Sequence, residues 1–393
     1  MLRRFLACFL LSLLFLNPAL SEASCPVLLA SGSVSVYARA QDGSLWGWGD
    51  NSYGQLAVTG KKTFCRPVPI APNLDGGSVR EIQAGKFHVL FLMQDGSVFS
   101  CGQNSQGQLG YDTARKNVKE PREIPFLSGI VRIACGWMHS LALTEDGHVF
   151  AWGQGSSGEL GLGDRKGRIV PEQLPLENIV DIACGKGFSL ALDASGQLYG
   201  WGSNKEGQLM TVSRLKPVTS PTLLPLEASV VRMACGNATV YAQTSDGTLW
   251  AWGLNDYWQL GSKAGARSQD PVPVPLPEGT VISALSSFNL HVSVLTSQGG
   301  VIQWGANGHG QKGTGDRPWH TLDMTSVPES GILDLSVSQY TTCLLREDGM
   351  VLSSGGNWYG QAGTQTKISH YVTRFTSTGL NLFTGELSDP GEP

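Results

Sequence analysis

Along nearly the whole chain, short runs alternate apolar and polar positions, the period-two pattern of strands with one buried face, and glycine-rich polar stretches separate them. The clearest stretch holds four such runs, at 131–135, 139–143, 149–152 and 171–174. Asp146-Gly147 divides the second run from the third, a strong hairpin signal because both central positions of that turn want positive φ. The same phrase then recurs: an Asp-Gly turn, a strand ending in Trp-Gly, and a loop closing on Gly-Gln-Leu-Gly. Good copies begin at Asp42, Asp95, Asp146 and Asp246, and weaker ones follow Ser195-Gly196, Gln298-Gly299 and Asp348-Gly349. The glycines that end the third run are Gly49, Gly102, Gly153, Gly202, Gly253, Gly305 and Gly355, spaced by 53, 51, 49, 51, 52 and 50 residues. A period near fifty with four strands per copy predicts an all-β fold, a seven-bladed β-propeller of four-stranded antiparallel blades.

The third copy reads Ala134-Cys135-Gly136-x-x-His139-Ser140-x-Ala142-Leu143-x-x-Asp146-Gly147, then Trp152-Gly153 and Gly158-Glu159-Leu160-Gly161. This resembles the repeat of the regulator of chromosome condensation family, and the likeness runs from about Val27 to Phe375. Kelch repeats have a similar period but carry a double glycine in each blade, which only Gly355-Gly356 matches.

Aligned on its Asp-Gly turn, the first copy opens with a first strand near residues 27–32, and residues 371–375 fall where a last fourth strand belongs. The N- and C-terminal strands are therefore expected to pair in one shared blade, which closes the circle and hides both sheet edges. The propeller is assigned to residues 27–378, with 379–393 as a loose C-terminal tail.

Composition agrees with a turn-rich β protein: 50 of 393 residues are glycine and only 15% are charged. A net charge of -4 offers no basic stripe for phosphates, so nucleic acid is not an expected partner. Met1-Leu2-Arg3-Arg4, the apolar run 5–16 and the small residues up to Ala23 have the regions of a secretory signal, giving residues 1–23 as a signal peptide and a periplasmic or extracellular product. The apolar run is short for a bilayer span, so stable membrane insertion is not expected. Lipid attachment at Cys25 is a weaker reading, because Glu22 stands where such sites want an aliphatic residue.

Candidate chemistry is sparse. His88, His139 and His291 share one repeat position and invite a metal reading, but short-range ligand spacing is missing and structural packing is expected. Cys135, Cys184 and Cys235 also share a position, one blade apart, too far to bridge. Cleavage after Ala23 leaves an odd number of cysteines, and Cys25 with Cys65 is the one pairing considered. Trp48, Trp152, Trp201, Trp252 and Trp304 are read as blade core. Gly60-Lys61-Lys62-Thr63 has the wrong spacing for a phosphate loop, and Gly155-Ser156-Ser157-Gly158 the wrong order for a nucleophile elbow. No catalytic residue, cofactor or metal is assigned.

In a four-stranded meander the first-to-second and third-to-fourth connections share one face of the ring. That face collects Phe87, Trp137, Met138 and Tyr340 from the first set, and Tyr53, Tyr257, Trp258, His309, Trp358 and Tyr359 from the second. Exposed loop aromatics are frequent recognition anchors, and Trp137, Trp258 and Trp358 are expected to be the exposed centre. The expected function is an exported, non-catalytic and monomeric protein-binding propeller, a scaffold or inhibitor, similar in plan to secreted β-lactamase inhibitor proteins that use this repeat. Two alternatives stand beside it: nucleotide exchange on a small GTPase, which the resemblance implies, and a propeller-based lyase or other enzyme. A tryptophan light sensor would need several Gly-Trp-x-His loops, and only Gly136-Trp137-Met138-His139 matches.

Overall fold

The computed structural model describes residues 27–211, 216–364 and 370–388; residues 1–23, expected to be a signal peptide, and Cys25, considered for pairing with Cys65, lie outside the described residues. Seven antiparallel sheets, each a meander of consecutive strands, make the seven blades. In the third blade the strands are Ile130–Cys135, His139–Thr144, Val149–Gly153 and Arg168–Gln173. The fourth begins three residues before its expected start at 171, because this rim strand is exposed at most positions and lacks the alternation that marks the others. The second strands are buried almost throughout, as in His139–Thr144 and Phe188–Asp193, since each lies between the sheets of two neighbouring blades.

The repeat phrase is explained by three local constraints. The glycine that ends each third strand has φ near +100°, as at Gly102 and Gly153, a region closed to other residues. A Cβ on Gly136 would collide with the His139 ring, and one on Gly185 with Phe188, which accounts for the spacing Gly-x-x-His or Gly-x-x-Phe. The indole of the tryptophan just before the strand-end glycine is fully buried and donates to a carbonyl in the preceding blade's loop: Trp152 to Gln108 at 2.9 Å, Trp252 to Gln208 at 2.9 Å and Trp304 to Gln259 at 2.8 Å.

Core clusters span successive blades: Leu141, Val149 and Leu160 of the third pack with Ile179, Ile182 and Trp201 of the fourth. The histidines are part of this seam. Nε2 of His88 lies 3.0 Å from Oγ of Ser140, that of His139 2.9 Å from Oγ of Ser189, and that of His291 3.1 Å from Oγ1 of Thr342, each in the next blade. Burial pushes all three imidazoles down to about 3, so they are neutral bridges at physiological pH.

Ring closure follows the same rule and corrects the shared-blade expectation. The first blade builds its sheet from Leu28–Ser31, Ser35–Arg39, Leu45–Asp50 and Thr63–Pro69, and the seventh from Ile332–Val337, Thr341–Arg346, Met350–Gly356 and Tyr371–Asn381 with a short addition at Glu386–Leu387. Each terminal copy carries its own complete set of strands, so the ends meet by packing rather than by pairing within one sheet. Trp48 donates to the carbonyl of Gln361 at 3.1 Å, Gln41 N to that of Leu382 at 2.7 Å, and Leu380 and Leu382 are buried against Val36, Ala38 and Trp48. The tail boundary also moves: residues 379–388 belong to the propeller, because the last strand runs on to Asn381 and then turns back. Residues 389–393 lie outside the described residues.

Candidate functional site

The first-to-second connections converge on one mouth of the ring. At equivalent positions they present Ser33, Lys86, Trp137, Lys186, Asn237, Asn289 and Gln339. Backbone bonds between neighbouring blades lock this circle: Ser33 N to the carbonyl of Gly85 at 3.1 Å, Lys86 N to Trp137 at 3.1 Å, Lys186 N to Asn237 at 3.0 Å, Asn237 N to Asn289 at 3.0 Å and Gln339 N to Ser33 at 3.2 Å.

The third-to-fourth loops surround that circle on a second pinned frame. In all but the third blade, where Glu159 takes the role, a glutamine accepts from the backbone two residues earlier, which fixes Tyr53 at 3.0 Å, Tyr257 at 2.9 Å, His309 at 3.0 Å and Tyr359 at 2.8 Å. An asparagine Oδ1 then accepts the amide five residues on, as from Leu56 to Asn51 and Ala362 to Asn357, both at 3.0 Å. The aromatic side chains therefore stand on rigid supports.

Two aromatic groups result. In one, His309 packs edge-on against Tyr340 at 4.7 Å and Trp358 at 4.8 Å and stacks with Tyr371 at 6.0 Å, while the guanidinium of Arg317 lies 3.9 Å from the centre of the Tyr371 ring. In the other, Tyr53 lies 4.8 Å from Phe87, and Nζ of Lys86 sits 5.0 Å from Phe87 and 4.7 Å from Trp137. Nζ of Lys186 approaches Trp137 to 4.0 Å. Between the groups lies a cavity of about 310 Å³ whose walls include Trp137, Tyr257, His309, Tyr340, Asn237 and Trp319. Oδ1 of Asn237 and Nδ1 of His309 are buried there with no hydrogen-bond partner among the described residues. Burial, and then Arg317, hold the His309 imidazole below its usual range, so this wall is polar but uncharged at neutral pH.

Of the ten residues singled out from the sequence, Trp137, Tyr257, His309, Tyr340 and Trp358 gather on or beside the cavity, and Tyr53 and Phe87 join through Lys86. Tyr359 is exposed, at 45%. Trp137, Trp258 and Trp358, expected to be the exposed centre, are half-buried, because neighbouring loops and rings cover them. Trp258 and Met138 are not among the residues lining the cavity. Trp258 instead occupies the position where the other six loops have glycine, in the left-handed region at φ +57°. Sequence reasoning missed Trp319, 68% exposed on the cavity rim, and the lysines flanking Trp137; their signal was their position on the same loops. Phe126, 89% exposed, lies in a blade-to-blade link on the opposite face.

Comparison with known proteins agrees with this architecture. Residues 129–384 match the RCC1-like domain, and residues 42–92 and 95–143 match the regulator of chromosome condensation (RCC1) repeat. The ultraviolet-B receptor UVR8 of Arabidopsis thaliana is 33% identical over 69% of this chain and 62% of its own length. The human E3 ubiquitin-protein ligase HERC2 is 32% identical over 74% of this chain but only 5% of its own. The chain thus spans less than two thirds of these relatives. Among solved structures, Saccharomyces cerevisiae Prp20p, described with its binding properties to Gsp1p and histones, superposes with a TM-score of 0.77 at 23% identity over 90% of this chain and 87% of its own. Human WBSCR16 gives 0.71 at 26% identity over 80% and 85%. From its repeats, its blades and these matches, the chain belongs to the regulator of chromosome condensation (RCC1) repeat family.

Proposed function

We propose that this chain is an exported, non-catalytic propeller that binds a protein partner through the loop face. The observation that carries the reading is the cavity between the two aromatic groups. Its rings bury large area at low entropic cost, its frame is pinned by backbone bonds, and Asn237 and His309 add polar groups to its wall. A concave aromatic centre with a few convergent polar groups is the usual form of an anchoring pocket. Related proteins that bind other proteins, such as Prp20p with Gsp1p and histones, support a recognition role without naming the partner here. Export rests on the charged, apolar and small-residue regions of residues 1–23.

The test is a capture experiment on the exported fraction of the native cell, with the full chain and single variants as bait. A partner retained by the wild type, Phe126→Ala and Thr248→Ala but lost with Trp137→Ala and Tyr340→Ala supports the reading. Loss with the turn-face variants alone refutes it. Intact mass of the exported protein should show residues 1–23 removed, and their retention would refute export by this signal.

A further inference from the structure

The two faces of the ring carry opposite charge, and we infer that the loop face receives an acidic protein surface; this rests on the loop-face reading above and names the chemistry of its partner. Among the described residues, no lysine or arginine lies in any second-to-third-strand turn or in any link from one blade to the next. The turns present Asp42, Asp95, Asp146, Asp246 and Asp348, all exposed, the last paired with Arg346 at the end of the preceding strand. The links add exposed Asp75, Glu177, Glu227 and Glu278. Hydroxyls of Ser97, Thr144 and Thr244 hold Asp95, Asp146 and Asp246 below the usual carboxylate range, so this face stays anionic at neutral pH. Hairpin chemistry explains the turn aspartates. It explains neither the carboxylates of the links nor the exclusion of cations.

The loop face has the reverse balance. Its outer loops expose Lys61, Lys62, Arg115, Lys116, Arg165, Lys166, Lys205 and Lys263 against exposed Asp112, Asp256 and Asp316. Nearer the axis, Lys86 and Lys186 flank Trp137, and neither forms an ion pair among the described residues. Burial, and then Lys86 and Lys205, hold Lys186 below its usual range, the direction expected for cations held together without counter-charge. A chain with a net charge of -4 thus places an excess of cations on its loop face, with Lys86 and Lys186 beside Trp137, while the turns and links of the far face carry carboxylates without lysine or arginine. Such a polarity orients an acidic partner toward the loop face and turns the other face away from it.

A protein surface fits better than a nucleic acid. Strand binders pair a continuous basic groove with open stacking platforms. Here the rings pack edge-on against one another, His309 against Tyr340 at 86° and against Trp358 at 81°, around a partly open cavity of about 310 Å³. The matching element is an acidic patch beside one side chain that enters the cavity.

Fluorescence anisotropy of the full chain with a labelled glutamate–tyrosine copolymer tests this, alongside a lysine–tyrosine copolymer and an oligo-dT single strand. Preferential binding of the acidic copolymer is expected, weakened about tenfold or more between about 50 and about 300 mM NaCl and by a similar factor in Lys86→Glu/Lys186→Glu. Tighter binding of oligo-dT would overturn the inference in favour of a phosphate ligand. If Trp137→Ala weakens binding while Lys86→Glu/Lys186→Glu binds like the wild type, the charge inference fails and the loop face stands. If only Asp95→Lys/Asp246→Lys and Phe126→Ala weaken binding, the loop-face reading itself fails. Sedimentation at low salt is run in parallel: self-association that Lys86→Glu/Lys186→Glu abolishes and the acidic copolymer cannot displace would assign the basic face to a second copy and overturn the inference.

Discussion

Replacing His139 with glutamine should change how stability depends on pH, not only its value. His139 is fully buried, bridges to Ser189 of the next blade at 2.9 Å, and has its pKa lowered to about 3 by burial. The folded protein keeps the ring neutral, while the unfolded chain takes up a proton below about 6.5. A depressed folded pKa contributes stability that is fully present above the unfolded value and is lost as pH falls toward the folded one. For pKa values near 3 and 6.5, linkage gives a loss of about 2 kcal/mol between about pH 7.5 and pH 5. Glutamine keeps a hydrogen-bonding group near Ser189 but does not titrate. His139→Gln should therefore be less stable than the wild type at pH 7.5, and the gap should close by about 2 kcal/mol at pH 5. Glu159 and Asp334, whose carboxyls burial raises to about 7 and about 6, act in the opposite direction but are common to both proteins and cancel. Urea unfolding followed by tryptophan fluorescence at several pH values gives the comparison. Parallel stability curves would show that His139 is not a buried neutral bridge.

Three further outcomes follow from the packing. Truncation after residue 378 removes Leu380 and Leu382, both fully buried against the first blade, and should lower stability by several kcal/mol, about 2–5 for each leucine lost; thermal melting like the full chain would restore the tail reading. Gly153→Ala puts a Cβ at φ +100° and 2.6 Å from the Met138 carbonyl, and should cost about 3 kcal/mol or more, read from the unfolding midpoint; a neutral effect would contradict the strand-end constraint. In native protein, site-resolved thiol labelling should modify half-buried Cys65 well before buried Cys101, Cys235 and Cys343, all free and with thiols raised by burial, and equal labelling would contradict this packing.

The ring was legible because the same constraint acts in every blade. Trp152-Gly153 and Gly136-x-x-His139 each report a steric requirement that recurs at a fixed interval, so the period carries the fold. The fourth strand of the third blade was placed late because its exposed side chains, as in Arg168–Gln173, answer to no buried face. Closure was misjudged because strand count alone does not say which sheet a terminal strand joins; Leu28–Ser31 pairs with its own neighbour Ser35–Arg39. The site was legible as a face but not as a centre. Blade order determines that His309 and Trp358 meet across adjacent loops, and a linear reading cannot weigh that against Trp258, which sits at a glycine position one blade earlier. Lys86 and Lys186 became visible only when their loops were seen to converge on Trp137.

The most direct test of the account is an affinity comparison by calorimetry, using the partner recovered from the exported fraction. Trp137→Ala should weaken binding by about 2 kcal/mol or more, roughly thirtyfold, with an unchanged melting temperature, while Phe126→Ala on the opposite face should bind like the wild type. Normal binding by Trp137→Ala together with a loss in Phe126→Ala would place the interaction on the turn face and contradict the account.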